Sequence, residues 1–404
     1  MSQNILKRIF LFLLFGYLIS FCFIVYSHPV KTLTEWDWTK GTNADFNIYQ
    51  RAARNFINGN DIYRGTKYFY PPFFAILLSP LSILPTAFQK PIWVILNIIT
   101  LIFLWFFLLH YFTKGGIKKY QAGTIALLVI ASSIPLLHNF KWGQVSILIS
   151  LLIISSYIAF KKNKHLLSAL TLAIASSIKV MPAIFLLFYI VNWKKGVSKL
   201  LIWFMVFSFL FLWLFPLLFL GSEKTYHAYK TFDKKTTSTH AWLFHGLWNE
   251  QTIRGIVFRY FSKDYPSAKG KKPFPPFNQP PPSFLPLYPT FSAEGAQTVG
   301  IILSLILLIY TLSLSRRKKH YHDTLPENEQ EDVLFCFFIS GFLAFTPHAW
   351  IHYYVLSIVP YYLLLTSLIK KNVKEPGFPF ILFMLSFLTF HGNIFIMKSS
   401  SLLA

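Results

Sequence analysis

Acidic residues are scarce in this chain. Its 404 residues carry 15 Asp+Glu against 38 Lys+Arg, a formal net charge of +23. Charge of either sign is also short, at 13% of residues, where soluble domains run near about 25%. So few charges cannot cover a water-facing surface in the usual way, which disfavours a soluble enzyme and a disordered chain alike. Cysteine is almost missing. Cys22 and Cys336 both sit inside apolar runs, so no disulfide framework is expected and the redox compartment stays open. There is no Walker loop, dinucleotide fingerprint, zinc-type Cys/His spacing or nucleophile elbow. What the chain has in plenty is apolar: 54% hydrophobic and 19% aromatic residues, with a mean hydropathy of +0.49. A pI near 9.8 would elsewhere point to nucleic acid. Here a membrane explains the composition better, and no nucleic-acid partner is expected. The composition defines an integral, polytopic membrane protein.

The first apolar run, from about Ile9 to Tyr26, follows Lys7 and Arg8. It is longer than a signal-peptide core, and Ser27-His28-Pro29 offers no cleavage site, so it reads as a retained anchor with a cytoplasmic N-terminus. Further runs follow at roughly Pro72–Phe88, Pro91–Phe112, Gln121–Leu137, Val145–Phe160, Leu166–Trp193, Leu200–Leu220, Gln297–Leu314, Val333–Phe345, Trp350–Leu368 and Pro379–Met397. At about 20 residues per crossing the total is about ten to twelve spans. Leu166–Trp193 exceeds one crossing and contains Lys179 and Pro182. It is one broken helix or two short ones meeting at the lysine. Pro71, Pro72, Pro80, Pro85 and Pro91 crowd Pro72–Phe88, which reads as a short re-entrant or broken segment.

Short basic clusters orient the set. Lys161-Lys162-Asn163-Lys164, Trp193-Lys194-Lys195, Arg316-Arg317-Lys318-Lys319 and Lys370-Lys371 are expected on the cytoplasmic side. Two long hydrophilic loops, Ser27–Tyr70 and Gly221–Ala296, then face outward. The second has a proline-rich middle, Pro273–Pro289, that reads as an extended linker. It also holds ten Lys+Arg against five Asp+Glu. Such long loops escape the orientation rule, and the surplus fits either an anionic ligand or lipid headgroup, or a solvated basic surface. No internal repeat is evident, so residues 1–404 read as a single membrane domain.

Ionisable residues at the membrane are the natural functional candidates. Thr42–Phe56 predicts a helix with Asn43 as N-cap and Gly59 as terminator. Phe46, Tyr49, Ala53 and Phe56 recur at three- and four-residue steps, a stripe suited to a helix on the membrane surface. Asp45 falls in its first turn, where the dipole favours an ionised carboxylate, with Arg51 and Arg54 adding positive charge nearby. That combination fits a general base beside an anionic ligand, or a carboxylate that only caps. Asp61-Ile62-Tyr63-Arg64 and Tyr68-Phe69-Tyr70-Pro71-Pro72 read locally as a loop and an aromatic belt returning the chain to the membrane. Lys141-Trp142-Gly143-Gln144 reads as an interfacial anchor or a polar site. Lys179, midway along its apolar run, needs water, a partner or a ligand. His348 and His352 have a spacing that suits metal, but no third ligand is visible, so no metal is expected.

Taken in order, these residues resemble glycosyltransferase family 87. The first-loop pattern is Asp45-Phe46 with Tyr49 and Ala52, then Asn58-Gly59-Asn60-Asp61-Ile62-Tyr63 and Tyr70-Pro71-Pro72. It continues with Trp142-Gly143-Gln144, Lys179 with Pro182 and a following basic turn, Asn249-Glu250-Gln251-Thr252 before Arg259, and Trp350 with His352 and Tyr353. Two departures are the Pro273–Pro289 insertion and Thr252 where serine is expected; both bear on acceptor identity. The resemblance implies an all-α, GT-C-type helical bundle in the cell inner or plasma membrane with its active site on the outer face. It implies an inverting, polyprenyl-phosphate-sugar-dependent hexosyltransferase of mannosyltransferase type that needs no cofactor, with a glycan or glycolipid acceptor. Asp45 takes the base role. Tyr49, Arg51, Asp61, Tyr63, Gln144, Lys179, Asn249, Gln251, Arg259, His348 and His352 are the expected substrate contacts. A transporter or flippase shares the many spans but more often shows matching halves, and none is found. An envelope-polysaccharide polymerase or ligase would lean on outer-loop arginines instead.

Overall fold

The computed structural model describes residues 45–112, 135–136, 138–140, 142–192, 196–237, 252–261, 291–316, 327–346, 351–360 and 362. The expected spans Ile9–Tyr26 and Pro379–Met397, and most of Gln121–Leu137, lie outside them. So do Asn43, Lys141, Asn249, Gln251, His348, the Pro273–Pro289 segment, and the side chains of Arg259 and His352.

Every regular element among the described residues is helical. Helix α1 covers Asp45–Ile57 and buries Phe46, Tyr49, Ala52 and Ala53. Its stripe packs on α2 (Pro72–Ile83) and on Trp93 of α3 (Thr86–Phe112), so protein rather than lipid covers it. Gly59, at φ 70°, ends the helix. Asn60 N–H reaches the Asn55 carbonyl at 2.8 Å and Gly59 N–H reaches that of Phe56 at 3.0 Å, the paired bonds of a Schellman stop.

The proline-crowded segment is indeed broken. α2 stops at Ile83, Leu84 is extended at φ −65° and ψ 154°, and α3 starts at Thr86, directly after Pro85. The long helix therefore begins before Pro91 and carries it inside.

Helix α4 (Ser146–Lys161) turns through Asn163 into α5 (His165–Ile178). α5 ends before Lys179, whose backbone is extended at φ −145° and ψ 120°. A 3-10 turn over Met181–Ile184, carrying Pro182, leads into α6 (Phe185–Val191). The long apolar run is thus two helical pieces that meet at the lysine. Helix α7 (Val197–Phe209) continues through a π turn at Leu210–Leu214 into α8 (Phe215–Leu220).

The hydrophilic stretch after Gly221 is more structured than a loop. It holds α9 (Ser222–Thr237) and α10 (Ile253–Phe261). Thr252 caps α10 by accepting a hydrogen bond from Gly255 N–H at 3.0 Å. Serine caps a helix in the same way, so threonine here preserves the local structure. Helices α11 (Ala293–Arg316) and α12 (Glu327–Phe345) follow, then a 3-10 turn over Ile351–Ser357.

Three helices among the described residues are long and apolar enough to cross a membrane: α3, the α7–α8 rod and α11. Each leaves large apolar side chains outward, among them Ile102, Met205, Leu218 and Ile309, as lipid-facing helices do. Shorter apolar helices α4, α5 and α6 sit inward, where Tyr157 of α4 stacks on Phe335 of α12 at 3.8 Å. At the end of α4, Lys161 and Asp332 form an ion pair of 2.7 Å, and Tyr157 donates to the same carboxylate oxygen at 2.7 Å. The protein is all-α and polytopic in the membrane.

Candidate active site

Four segments far apart in sequence meet around Asp45. The start of α1 supplies Asp45 and, one turn on, Tyr49. The approach to α2 supplies Tyr70, the turn before α4 supplies Gln144, and the break after α5 supplies Lys179.

Gln144 is the hub. Its side-chain nitrogen donates to Asp45 Oδ2. Its oxygen accepts from Tyr49 Oη at 2.8 Å and from Tyr70 Oη at 3.4 Å. The two phenols also share a hydrogen bond of 2.8 Å. Because the phenols occupy the amide oxygen, only the amide nitrogen is left for the carboxylate, so the amide is oriented as a donor to an acceptor-only, ionised Asp45.

Gly143 makes the hub possible. It sits at φ 63°, and a side chain there would meet Phe46 Cβ at 2.6 Å. Its carbonyl accepts from Trp93 Nε1 at 2.8 Å, while Trp93 stacks on Phe46 with centroids 5.5 Å apart. The turn is therefore pressed against α1, which brings Gln144 to Asp45. Asn139 extends the support: Gln144 N–H bonds its carbonyl at 2.9 Å, and its amide donates to Asn97 at 3.3 Å.

Asp45, Tyr70, Lys179 and Tyr353 are each partly exposed, while Tyr49 and Gln144 behind them are buried. The cluster thus has a closed floor and an open mouth. Burial raises the Asp45 pKa from its ordinary 3.8 to about 6, against the lowering pull of the Gln144 hydrogen bond and the Lys179 charge. The helix start alone would keep this carboxylate strongly acidic; desolvation outweighs it. The result is a carboxylate ionised at neutral pH yet basic enough to accept a proton. Burial also pushes up the pKa values of Tyr49 and Tyr70, so both phenols stay protonated donors. Lys179 Nζ lies over the Tyr353 ring at 3.7 Å and the Tyr70 ring at 5.4 Å.

The other expected contacts separate into four groups. Arg51 lies on the exposed face of α1. Asp61 accepts Tyr63 N–H at 3.0 Å in a tight turn, and Tyr63, buried, donates its hydroxyl to the Tyr70 carbonyl at 2.8 Å. Those two brace the segment carrying Tyr70. The backbone of Arg259 lies in α10 and that of His352 in the 3-10 turn beside Tyr353, while Asn249, Gln251 and His348 are outside the described residues. Sequence reasoning missed Tyr70 and Tyr353 as members of the cluster. The signal available was their place beside Pro71-Pro72 and His352.

A carboxylate, a lysine and two phenols thus meet in one partly exposed polar cluster inside a helical membrane bundle. The chain belongs to glycosyltransferase family 87, which matches it over residues 68–270. That stretch includes Tyr70, Gln144 and Lys179. No curated protein and no solved structure matches the chain. The protein is a membrane glycosyltransferase.

Proposed function

We propose that this glycosyltransferase moves a mannose-like hexose from a polyprenyl-phosphate donor to a glycan or glycolipid acceptor at the outer face of the membrane, with inversion. The observation that supports the reading is that Asp45 and Lys179 share one cluster without forming an ion pair. A carboxylate near pKa 6 and a lysine share one polar cluster, the two charges such a transfer uses.

Asp45 takes the proton of the acceptor hydroxyl as the acceptor oxygen bonds to the anomeric carbon. The bond from that carbon to the phosphate oxygen breaks, and the polyprenyl phosphate leaves with the electron pair. It leaves as an anion, so no acid need protonate it. Lys179, with Arg259 and His352, steadies that phosphate. Attack opposite the leaving group inverts the anomeric carbon.

The test is transfer by purified protein in detergent from a panel of radiolabelled polyprenyl-phosphate sugars. Asp45→Asn should bind donor yet lose about 10²–10⁴-fold in turnover, with Asp61→Asn much less affected. Removing Lys179, Arg259 or His352 should cost about 1.5–3 kcal/mol each, mostly as weaker donor use. Near-normal transfer by Asp45→Asn beside a dead Asp61→Asn would move the base to Asp61.

A further inference from the structure

Lys161, Lys179 and Lys235 each sit over two aromatic rings, and Lys179 makes a closer approach than either of the others. The Lys179 ammonium sits over the face of Tyr353 at 3.7 Å and that of Tyr70 at 5.4 Å. Among the described residues, no carboxylate stands within ion-pair distance of it. At the far end of α4, Lys161 also lies over two rings, at 5.7 Å, but it is 2.7 Å from Asp332, so its charge is already paired with a carboxylate. Lys179 instead feels Asp45 only through space.

An aromatic face attracts a cation through its quadrupole without neutralising it. Two such faces therefore hold an ammonium in a low-dielectric site while leaving its charge, and its N–H donors, available to an incoming anion. The backbone supports the same placement. Helix α5 ends at Ile178, and the extended residue Lys179 turns out of the helix axis, so the side chain leaves the helix where the 3-10 turn bearing Tyr353 can meet it.

We infer that Tyr353 is a positioning residue of the transfer reaction: its ring, with that of Tyr70, cages Lys179 as an unpaired cation and so sets affinity for the phosphate of the donor. This rests on the proposed role of Lys179 in holding that phosphate. Tyr70 has a second duty through its hydroxyl, which bonds Tyr49 and Gln144. The cage is therefore tested at Tyr353, with the hydroxyl removed first so that only the ring is compared.

The experiment replaces Tyr353 with phenylalanine and then with phenylalanines bearing increasing numbers of ring fluorines. These keep the ring's shape but drain its negative face. The readouts are donor KM and kcat for the purified full-length protein in detergent. With Tyr353→Phe as the baseline, KM for polyprenyl-phosphate sugar should rise stepwise with fluorine count, reaching between roughly threefold and thirtyfold for loss of the cation–ring attraction, while kcat changes little. Tyr353→Leu should match the fully fluorinated ring. In a Lys179→Ala background, fluorination should have no further effect on KM. A flat series overturns the cage, and so does a series that persists without Lys179. The parent reading fails separately, if Lys179→Ala alone leaves donor KM normal. Should Tyr353→Leu fail to fold, the fluorinated series still decides the matter, because ring volume is nearly conserved.

Discussion

Gln144 and Asp45, 99 positions apart, are joined by a hydrogen bond from the glutamine amide to the aspartate carboxylate. The glutamine's other atom is claimed by Tyr49 at 2.8 Å, so this contact cannot reverse without breaking the phenol bonds. The carboxylate's basicity is therefore set by burial, which raises its pKa, against the Gln144 amide and the Lys179 charge, which lower it.

The pH dependence follows with a definite sign. As a base Asp45 works only when ionised, so kcat/KM should fall by about tenfold per unit as pH drops below about 6. Gln144→Leu removes the lowering contact, and the acid limb should move up toward neutral. A limb near the ordinary 3.8, or one that Gln144→Leu leaves in place, would show that Asp45 does not titrate in this step.

The same shift has a stability consequence. Folding raises the Asp45 pKa, so the folded protein binds the proton more tightly, and the resulting stability is lost as pH rises from 3.8 through about 6. Asp45→Asn removes that cost. Its apparent melting temperature in detergent should equal or exceed the parent's at neutral pH, with the difference shrinking as pH falls. A large drop at neutral pH would mean the carboxylate holds the fold together.

Gly143→Ala should be damaging for two reasons that act together, a backbone at φ 63° and a clash with Phe46 Cβ at 2.6 Å. Overpacking of this kind costs about 1–3 kcal/mol. It should lower the melting temperature and reduce turnover, because α1 must retreat from Gln144. Unchanged melting and transfer would show that the turn can relax away from α1.

Lys235 of α9 donates to the carbonyls of Tyr63 and Thr66 at 3.2 and 2.7 Å, and Lys224 to that of Gly59 at 3.1 Å. Helix α9 therefore latches the loop that carries Asp61 and Tyr63. Lys235 is half-buried, so its loss is worth roughly 1 kcal/mol rather than the larger figure for a buried charge. Lys235→Ala should speed tryptic cleavage after Arg64 and Lys67 several-fold, and equal cleavage rates would refute the latch.

Membrane orientation can be read by labelling. With Cys22 and Cys336 replaced, a cysteine at Asn58 should react with an impermeant reagent from outside, and one at Arg317 only after permeabilisation. Labelling of both from the same side would overturn the outward placement of the first loop.

Much of this arrangement is visible in local pattern, and the rest depends on contacts too distant for pattern to reveal. The α1 stripe and Gly59 stop are written in adjacent residues, and the cost of a lysine in an apolar run already marks Lys179 as a break. Tyr70 is different. Within Tyr68–Pro72 it reads as one aromatic among several, and its value comes from a glutamine 74 positions away. Gly143 likewise looks like an ordinary turn residue until α1 is packed against it. Helix α9 is hidden because its lysines make a segment look like solvated loop, when two of them are bonded to carbonyls about 170 positions earlier.

The ion pair at the far end of α4 carries a consequence for depth. Sixteen residues separate the Gln144 turn from Lys161, a rise of about 24 Å, whereas the hydrocarbon layer is about 30 Å thick. In the proposed orientation, with Lys161 at the inner boundary and α4 along the membrane normal, the floor around Gln144 and Asp45 would lie several ångströms beneath the outer one. Bulk water thins out at such a level. A donor sugar held there would be shielded from hydrolysis while it waits for an acceptor hydroxyl to reach down to it.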